Sequence, residues 1–185
     1  MEGLPRGAAV LDLGCGVGVP DAALLATRFV VTGVDISPVQ IERAKRLVPR
    51  ATFVRADMTQ VEFPAGTFGA VVCLYALIHV PLKEQRPLLE RIHRWLARPG
   101  WLVVITGHEA YEGTEDDWLG SGAPMYWSHA DASTYRGWFE ELGFEVIDQR
   151  LVPEGASGHE LFLLRVPRGR DGRAVPRGRG RRSSR

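Results

Sequence analysis

The sequence predicts an α/β domain: a mainly parallel sheet of seven strands with helices on both faces, completed by an antiparallel pair of strands near the C-terminus. Three observations predict it. Short apolar runs alternate with amphipathic stretches through residues 8–106, the pattern of strand–helix–strand crossovers. Those runs look apolar on both sides, as strands do when helices cover both faces of a sheet. The final third changes rhythm and ends in two strand-like runs with no helix between them, which therefore pair antiparallel.

Each element has its own local reason. Residues 8–13 (AAVLDL) are apolar and closed by glycines, the mark of a buried first strand. A helix over 21–28 leads to the second strand, 29–35 (FVVTGVD). Ser37-Pro38 opens the next helix, because a serine hydroxyl accepts from free N–H groups and proline suits the first helical position. Val39, Ile41, Ala44 and Leu47 then share one side, with Glu42, Arg43 and Lys45 outside. Strands are expected at 52–56 and 68–74, then a helix at 84–97 with Leu88, Leu89, Ile92, Trp95 and Leu96 at helical spacing. Pro99-Gly100 ends that helix and turns the chain into a fifth strand, 101–106 (WLVVIT). Residues 107–129 read as a long irregular segment holding Tyr111, Trp118, Tyr126 and Trp127, a partly ordered cover. A helix at 131–142 and strands at 144–151 and 160–166 complete the domain, expected over 1–166.

Composition narrows the function classes. At 185 residues, 45% hydrophobic and 24% charged, the chain suits one globular domain with a full core. No apolar run reaches the roughly 18 residues of a membrane span, and the N-terminus lacks the layout of a secretory signal. Cys15 and Cys73 form neither a disulfide framework nor a zinc motif, so a reducing cytoplasm is the expected compartment. Residues 166–185 hold eight arginines and one aspartate, a balance of +7 that leaves −6 on residues 1–165. The Arg/Gly/Pro-rich tail, 167–185, has almost nothing to bury and is expected to be disordered. An acidic body without a basic stripe argues against a nucleic-acid partner and leaves only the tail as a contact.

The chemistry starts at Val10-Leu11-Asp12-Leu13-Gly14-Cys15-Gly16-Val17-Gly18, a strand running through three glycines into a helix. Glycine permits positive φ and lets a ligand approach the backbone. In an open parallel sheet this turn lies at the carboxyl ends of the strands, where ligands bind. A dinucleotide fingerprint would need G-x-G-x-x-G/A, but its last position falls on Val19 or Asp21 in the two possible registers. Asp35 ends the second strand, where a carboxylate can accept from both hydroxyls of a ribose. Asp57 follows the third strand and can accept from an adenine amine while Met58 packs on the base. Either aspartate alone reads equally well as a helix cap or a solvated turn.

Together, Asp12-x-Gly14-x-Gly16-x-Gly18, Val34-Asp35-Ile36-Ser37 and Ala56-Asp57-Met58 resemble the cofactor motifs of class I S-adenosylmethionine-dependent methyltransferases. Phe68–Cys73 resembles the family's fourth strand, and residues 96–102 its turn into the fifth. The likeness covers roughly residues 8–166 and is greatest to small bacterial methyltransferases of unassigned substrate. It implies a Rossmann-like fold, S-adenosyl-L-methionine as cofactor and direct displacement at the sulfonium methyl. It also implies that Gly14, Gly16 and Gly18 lie against the methionine and ribose portion, and that Asp12 orients the loop or meets the ammonium group. Asp35 would hold the ribose, Ile36 the adenine face, Asp57 and Met58 the base, and Tyr75 would sit near the sulfonium. Family members carry a helical segment before the first strand, which here starts almost at Met1, so that cap is expected to be missing.

Such a displacement needs alignment and the exclusion of water, with no metal and no covalent intermediate. A hydroxyl or ammonium acceptor needs a base, and His79, following strand four, is the first candidate, as a base or as a hydrogen-bonded structural residue. His129, Tyr126 and His108 lie in or beside the cover and come next. The aromatics at Tyr111, Trp118, Tyr126 and Trp127 either form an acceptor pocket or anchor the loop. Glu112–Asp117 reads as a solvated acidic loop or as an attractor of cations. A small-molecule acceptor is expected, with a nucleic-acid methyltransferase and a non-catalytic cofactor-binding module as alternatives.

Overall fold

A computed structural model describes residues 3–120, 122–155 and 157–168. In chain order the strands and helices are β1 (Ala9–Leu13), α1 (Asp21–Leu25), β2 (Val30–Asp35), α2 (Pro38–Leu47), β3 (Thr52–Arg55), β4 (Phe68–Cys73), α3 (Leu82–Trp95) and β5 (Leu96–Gly107). They continue with β6 (Tyr111–Glu115), β7 (Met125–His129), α4 (Ala132–Glu141), β8 (Glu145–Glu154) and β9 (Ser157–Val166). Seven strands form one sheet in the order β3-β2-β1-β4-β5-β9-β8, and β6-β7 form a separate hairpin. Pairings from β3 across to β5 are parallel, whereas β9 runs antiparallel to both β5 and β8. The expected seven-stranded Rossmann-like sheet is therefore present. The tail expected to be disordered lies, from residue 169 onward, outside the described residues.

Two packed layers cover the sheet. On one face Leu11, Leu13, Val71, Cys73, Leu102, Val104, Phe162 and Leu164 meet Leu88, Leu89, Ile92 and Trp95 of α3 and Tyr135 and Phe139 of α4. On the other, Val31 and Phe53 pack with Ala22 of α1 and Ile41 and Ala44 of α2. Fully burying one such Leu, Ile or Phe is worth about 1.5–3 kcal/mol against leaving it in water. Local signals agree with this packing. Ser37 caps α2 by accepting from the Gln40 amide at 3.3 Å, and Asp131 caps α4 by accepting from Thr134 at 2.8 Å.

Four expectations are corrected by the backbone. The first helix stops at Leu25 rather than at residue 28, where the Thr27 hydroxyl takes up the Leu24 carbonyl at 2.7 Å and the Arg28 and Phe29 amides turn back onto Leu25. The α3 helix yields to β5 at Leu96, so Pro99-Gly100 forms an irregularity inside a twelve-residue strand instead of a turn before it. Residues 107–129 contain the β6-β7 hairpin, with Tyr111 opposite His129 and Glu115 opposite Met125. Its first strand reads Tyr-Glu-Gly-Thr-Glu, mostly exposed, so it carries no apolar alternation to betray it. The β8-β9 hairpin also reaches further than expected, closing on Glu154 opposite Ser157. No helix among the described residues is long and apolar enough to cross a membrane.

Candidate functional site

The tips of β1, β2, β3 and β4 converge at one end of the sheet. The Gly14 and Cys15 amides both donate to the Val34 carbonyl, at 2.8 and 3.1 Å, folding the glycine loop over the end of β2. Gly14 has φ of +74°, and an added β-carbon would collide with the side chain of Ala76 beyond β4. The glycine there is thus what lets the first and fourth strand tips touch. Asp35 staples the same region, accepting from the Gly16 amide at 2.9 Å through one oxygen and from the Ser37 amide at 2.8 Å through the other. Each oxygen keeps a further lone pair, because a carboxylate offers about four acceptor positions.

Asp57 uses one oxygen twice, accepting from the Thr59 amide and hydroxyl at 2.8 Å each. Its turn-capping role is therefore real, and its other oxygen is left over. Asp12 is 3% exposed in β1, and its Oδ2 has no partner among the described residues. Burial pushes its carboxyl up to about 7, with Asp21 and Asp35 adding repulsion.

A cavity of about 530 Å³ opens between these tips and the cover. Gly14, Asp35, Ile36, Asp57, Met58, Tyr75 and His79 all line it, bringing together seven of the residues singled out from the sequence. Gln40, Glu84, Trp118 and Met125 complete much of the remaining wall. Gly16, Gly18 and Asp12 are not among its lining residues: Gly16 is held by Asp35, and Gly18 sits against Phe53 and Val48. Tyr75, at φ of +51°, holds a left-handed conformation that a bulky side chain rarely adopts. Its hydroxyl is pushed up to about 12, by burial first and by Glu154 second, so it stays protonated at neutral pH.

His79 closes a single 3-10 turn, Leu77–His79, after β4. Its Nδ1 lies 2.8 Å from the Tyr126 carbonyl of β7. A carbonyl only accepts, so Nδ1 carries the hydrogen and Nε2 the lone pair. Burial lowers its pKa below the ordinary 6.5; the Tyr126 carbonyl opposes this and His159 adds to it. The ring is therefore neutral near pH 7.

Sequence reasoning missed the residue that holds this turn in place. Gln85 is fully buried and donates to the carbonyls of Leu77, Val80 and Ser128 at 3.1, 2.7 and 2.6 Å, while its own oxygen accepts from the Tyr135 hydroxyl. One side chain thereby joins the His79 turn, β7 and α4. The signal was available, since Gln85 shares the helical stripe of Leu88, Leu89 and Ile92. His159 was missed because β9 was expected to begin after it. The other candidates lie elsewhere: His108 pairs with Glu160 at 2.9 Å, His129 with the Glu109 carbonyl at 2.8 Å, and the Tyr126 hydroxyl with Glu112 at 2.8 Å.

Comparison with known proteins adds three findings. Residues 10–100 match the family described as a methyltransferase domain. The chain is 35% identical over 109 residues to 2-methyl-6-phytyl-1,4-hydroquinone methyltransferase of Synechocystis, covering 57% of this chain and 33% of that protein. It is 28% identical over 168 residues to carboxy-S-adenosyl-L-methionine synthase of Chromohalobacter salexigens, covering 85% and 60%. The chain thus spans between one third and three fifths of the length of these two relatives. A crystal structure of an S-adenosylmethionine-dependent methyltransferase from Methanosarcina mazei shares the fold at a TM-score of 0.76, with 16% identity, over 90% of this chain and 95% of that one.

Proposed function

Since this chain carries a class I S-adenosylmethionine-dependent methyltransferase domain, we propose that it transfers a methyl group to a small-molecule acceptor held above the strand tips. The observation that carries this is the convergence of Gly14, Asp35, Asp57, Tyr75 and His79 on one cavity. The donor set fits the cofactor. Asp35 has lone pairs for a ribose diol, Asp57 a spare oxygen for an exocyclic amine, and Ile36 and Met58 supply apolar surface for a base. The unpartnered Asp12 oxygen, buried beside the loop, suits a nearby ammonium group acting through the loop or water. Gly16 shapes the loop through its bond to Asp35, and Gly18 lets the loop lie against β3.

Bound S-adenosylmethionine supplies a methyl group already activated by the sulfonium charge. The protein's own work is positioning and proton transfer. His79 Nε2 faces this work as the base, because its Nδ1 is committed to Tyr126 and its ring is neutral. Tyr75, kept protonated, orients by donating a hydrogen bond and does not remove a proton. Trp118 and Met125 cover the cavity from the hairpin side and limit water. A cavity of this size accommodates a small molecule.

Two measurements test the assignment. Calorimetric titration with S-adenosylhomocysteine should give saturable one-to-one binding that is lost in Asp35→Ala. Incubation with methyl-labelled donor and a metabolite extract should label a small molecule. Labelling confined to added RNA or DNA would overturn the acceptor class, and absent binding would overturn the whole assignment.

A further inference from the structure

A second concavity, of about 560 Å³, adjoins the first where His159 meets Tyr75 and Trp127 meets His79. Its walls are β6, the end of β7 and the closed tip of the β8-β9 hairpin. Trp127, His129, His159 and Tyr111 line it together with Glu109, Glu115 and Glu154. No lysine or arginine is among the lining residues. Glu154 is occupied, 3.2 Å from His159 Nδ1. The side chains of Glu109 and Glu115 have no hydrogen-bond or ion-pair partner among the described residues.

The concavity adjoins the cofactor cavity directly. The His159 ring lies 5.6 Å from the Tyr75 ring, and the Trp127 ring 4.6 Å from His79, centroid to centroid. In both pairs one partner lines the cofactor cavity and the other this cleft. A group seated here therefore lies one ring away from the candidate base.

We propose that this cleft is a subsite for one end of the acceptor and that it takes an organic cation there, a protonated amine carried on a planar ring, while a different, uncharged atom of the acceptor reaches the methyl group in the cofactor cavity. The inference rests on the methyltransferase assignment above and adds its substrate class. An indole face and a phenol attract a cation through their ring quadrupoles. The carboxylates of Glu109 and Glu115, with no lysine or arginine among the lining residues, favour a positive charge in the cleft. The same groups disfavour an anion and give a neutral alcohol nothing beyond stacking. The Trp127 ring stacks on His159 at 25° with centroids 6.0 Å apart, and a planar body would add to that stack.

The test uses the full chain saturated with S-adenosylhomocysteine and three probes of one shape: phenethylamine, 2-phenylethanol and phenylacetate. Calorimetry should show the amine binding about tenfold tighter than the alcohol, and phenylacetate weakest of the three. In the Glu109→Gln, Glu115→Gln double variant the preference for the amine should fall to about threefold or less, with an unchanged melting temperature, because both residues are on the surface. Equal binding of all three probes, a preference that survives the double variant, or no binding of any probe overturns the inference while cofactor binding stands. Failure of S-adenosylhomocysteine itself to bind overturns the underlying assignment, and this inference with it.

Discussion

The strand tips and the hairpin cover are built on opposite plans. At the tips, backbone amides and short carboxylates do the work. Gly14, Gly16, Asp35 and Asp57 are locked by bonds of 2.8–3.1 Å within a few residues of sheet. In the cover, long side chains do it: Trp127, Tyr111 and His129 of the β6-β7 hairpin meet His159 of β9 as rings. The matched family region, residues 10–100, takes in the tips and stops before the cover. One region falls within the family match, and the other lies outside it. The difference teaches where specificity can be changed without touching the donor.

Removing the proposed base should separate the two regions most sharply. His79→Ala is expected to lower turnover by about 10²–10⁴-fold while leaving S-adenosylhomocysteine affinity within about twofold. A matching fall in affinity would mean that the turn after β4 belongs to the nucleoside side. In the wild type, the low-pH limb of kcat/KM should lie below 6.5, since burial favours the neutral imidazole.

The seam between the regions comes next. Gly14→Ala places a methyl against Ala76 at a left-handed backbone position, which should cost on the order of 3 kcal/mol in chemical unfolding and weaken cofactor binding. Unchanged stability would show that the loop and the Tyr75–Ala76 turn yield independently.

Within the cover, Gln85→Met should cost about 2–3 kcal/mol, because it leaves the Tyr135 hydroxyl without its acceptor and withdraws the amide donor from the Val80 and Ser128 carbonyls. Hydrogen exchange should then rise in β7 and around Leu77–Val80 while β1 and β2 stay protected. Uniform loosening of the whole sheet would refute the separation.

The smallest effect concerns Asp12. A carboxyl whose folded pKa is raised favours folding when protonated. Its contribution is complete below pH 3.8 and is lost as pH rises through about 7. Asp12→Asn should therefore stabilise the cofactor-free protein at pH 8 by about 1–2 kcal/mol, the gain limited because the amide remains an unpartnered polar group. Melting curves against pH check this: the wild-type value should decline relative to the variant between pH 4 and 7.

Much of the tip region was legible in the sequence, and physics explains why. A tight strand-to-helix loop demands glycine at positive φ, and a carboxylate at a strand end announces itself in the one-letter code. The spacing of Gly14, Gly16, Gly18, Asp35 and Asp57 therefore conveyed both fold and chemistry. The cap reading of Asp57 holds through one oxygen, which leaves the other for the proposed ligand contact. The cover was illegible for the opposite reason. A two-stranded ribbon buries little, so β6 has no periodicity, and ring clusters such as Trp127–His79 and His159–Tyr75 depend on registers between segments far apart in the chain. Gln85 stood between these cases, visible as a polar residue on an apolar stripe yet silent about which carbonyls it would reach.

The Gln85 junction has a consequence for engineering. It anchors the root of the β6-β7 ribbon through Ser128, while Thr114 and Glu115 project from the far end of the same ribbon. Rewriting that far end, in a library restricted to residues 114–115, would reshape the mouth of the cleft while Gln85 still holds the His79 turn. Such a library samples the proposed acceptor cleft against a fixed candidate base, the arrangement from which altered selectivity is most readily recovered by screening.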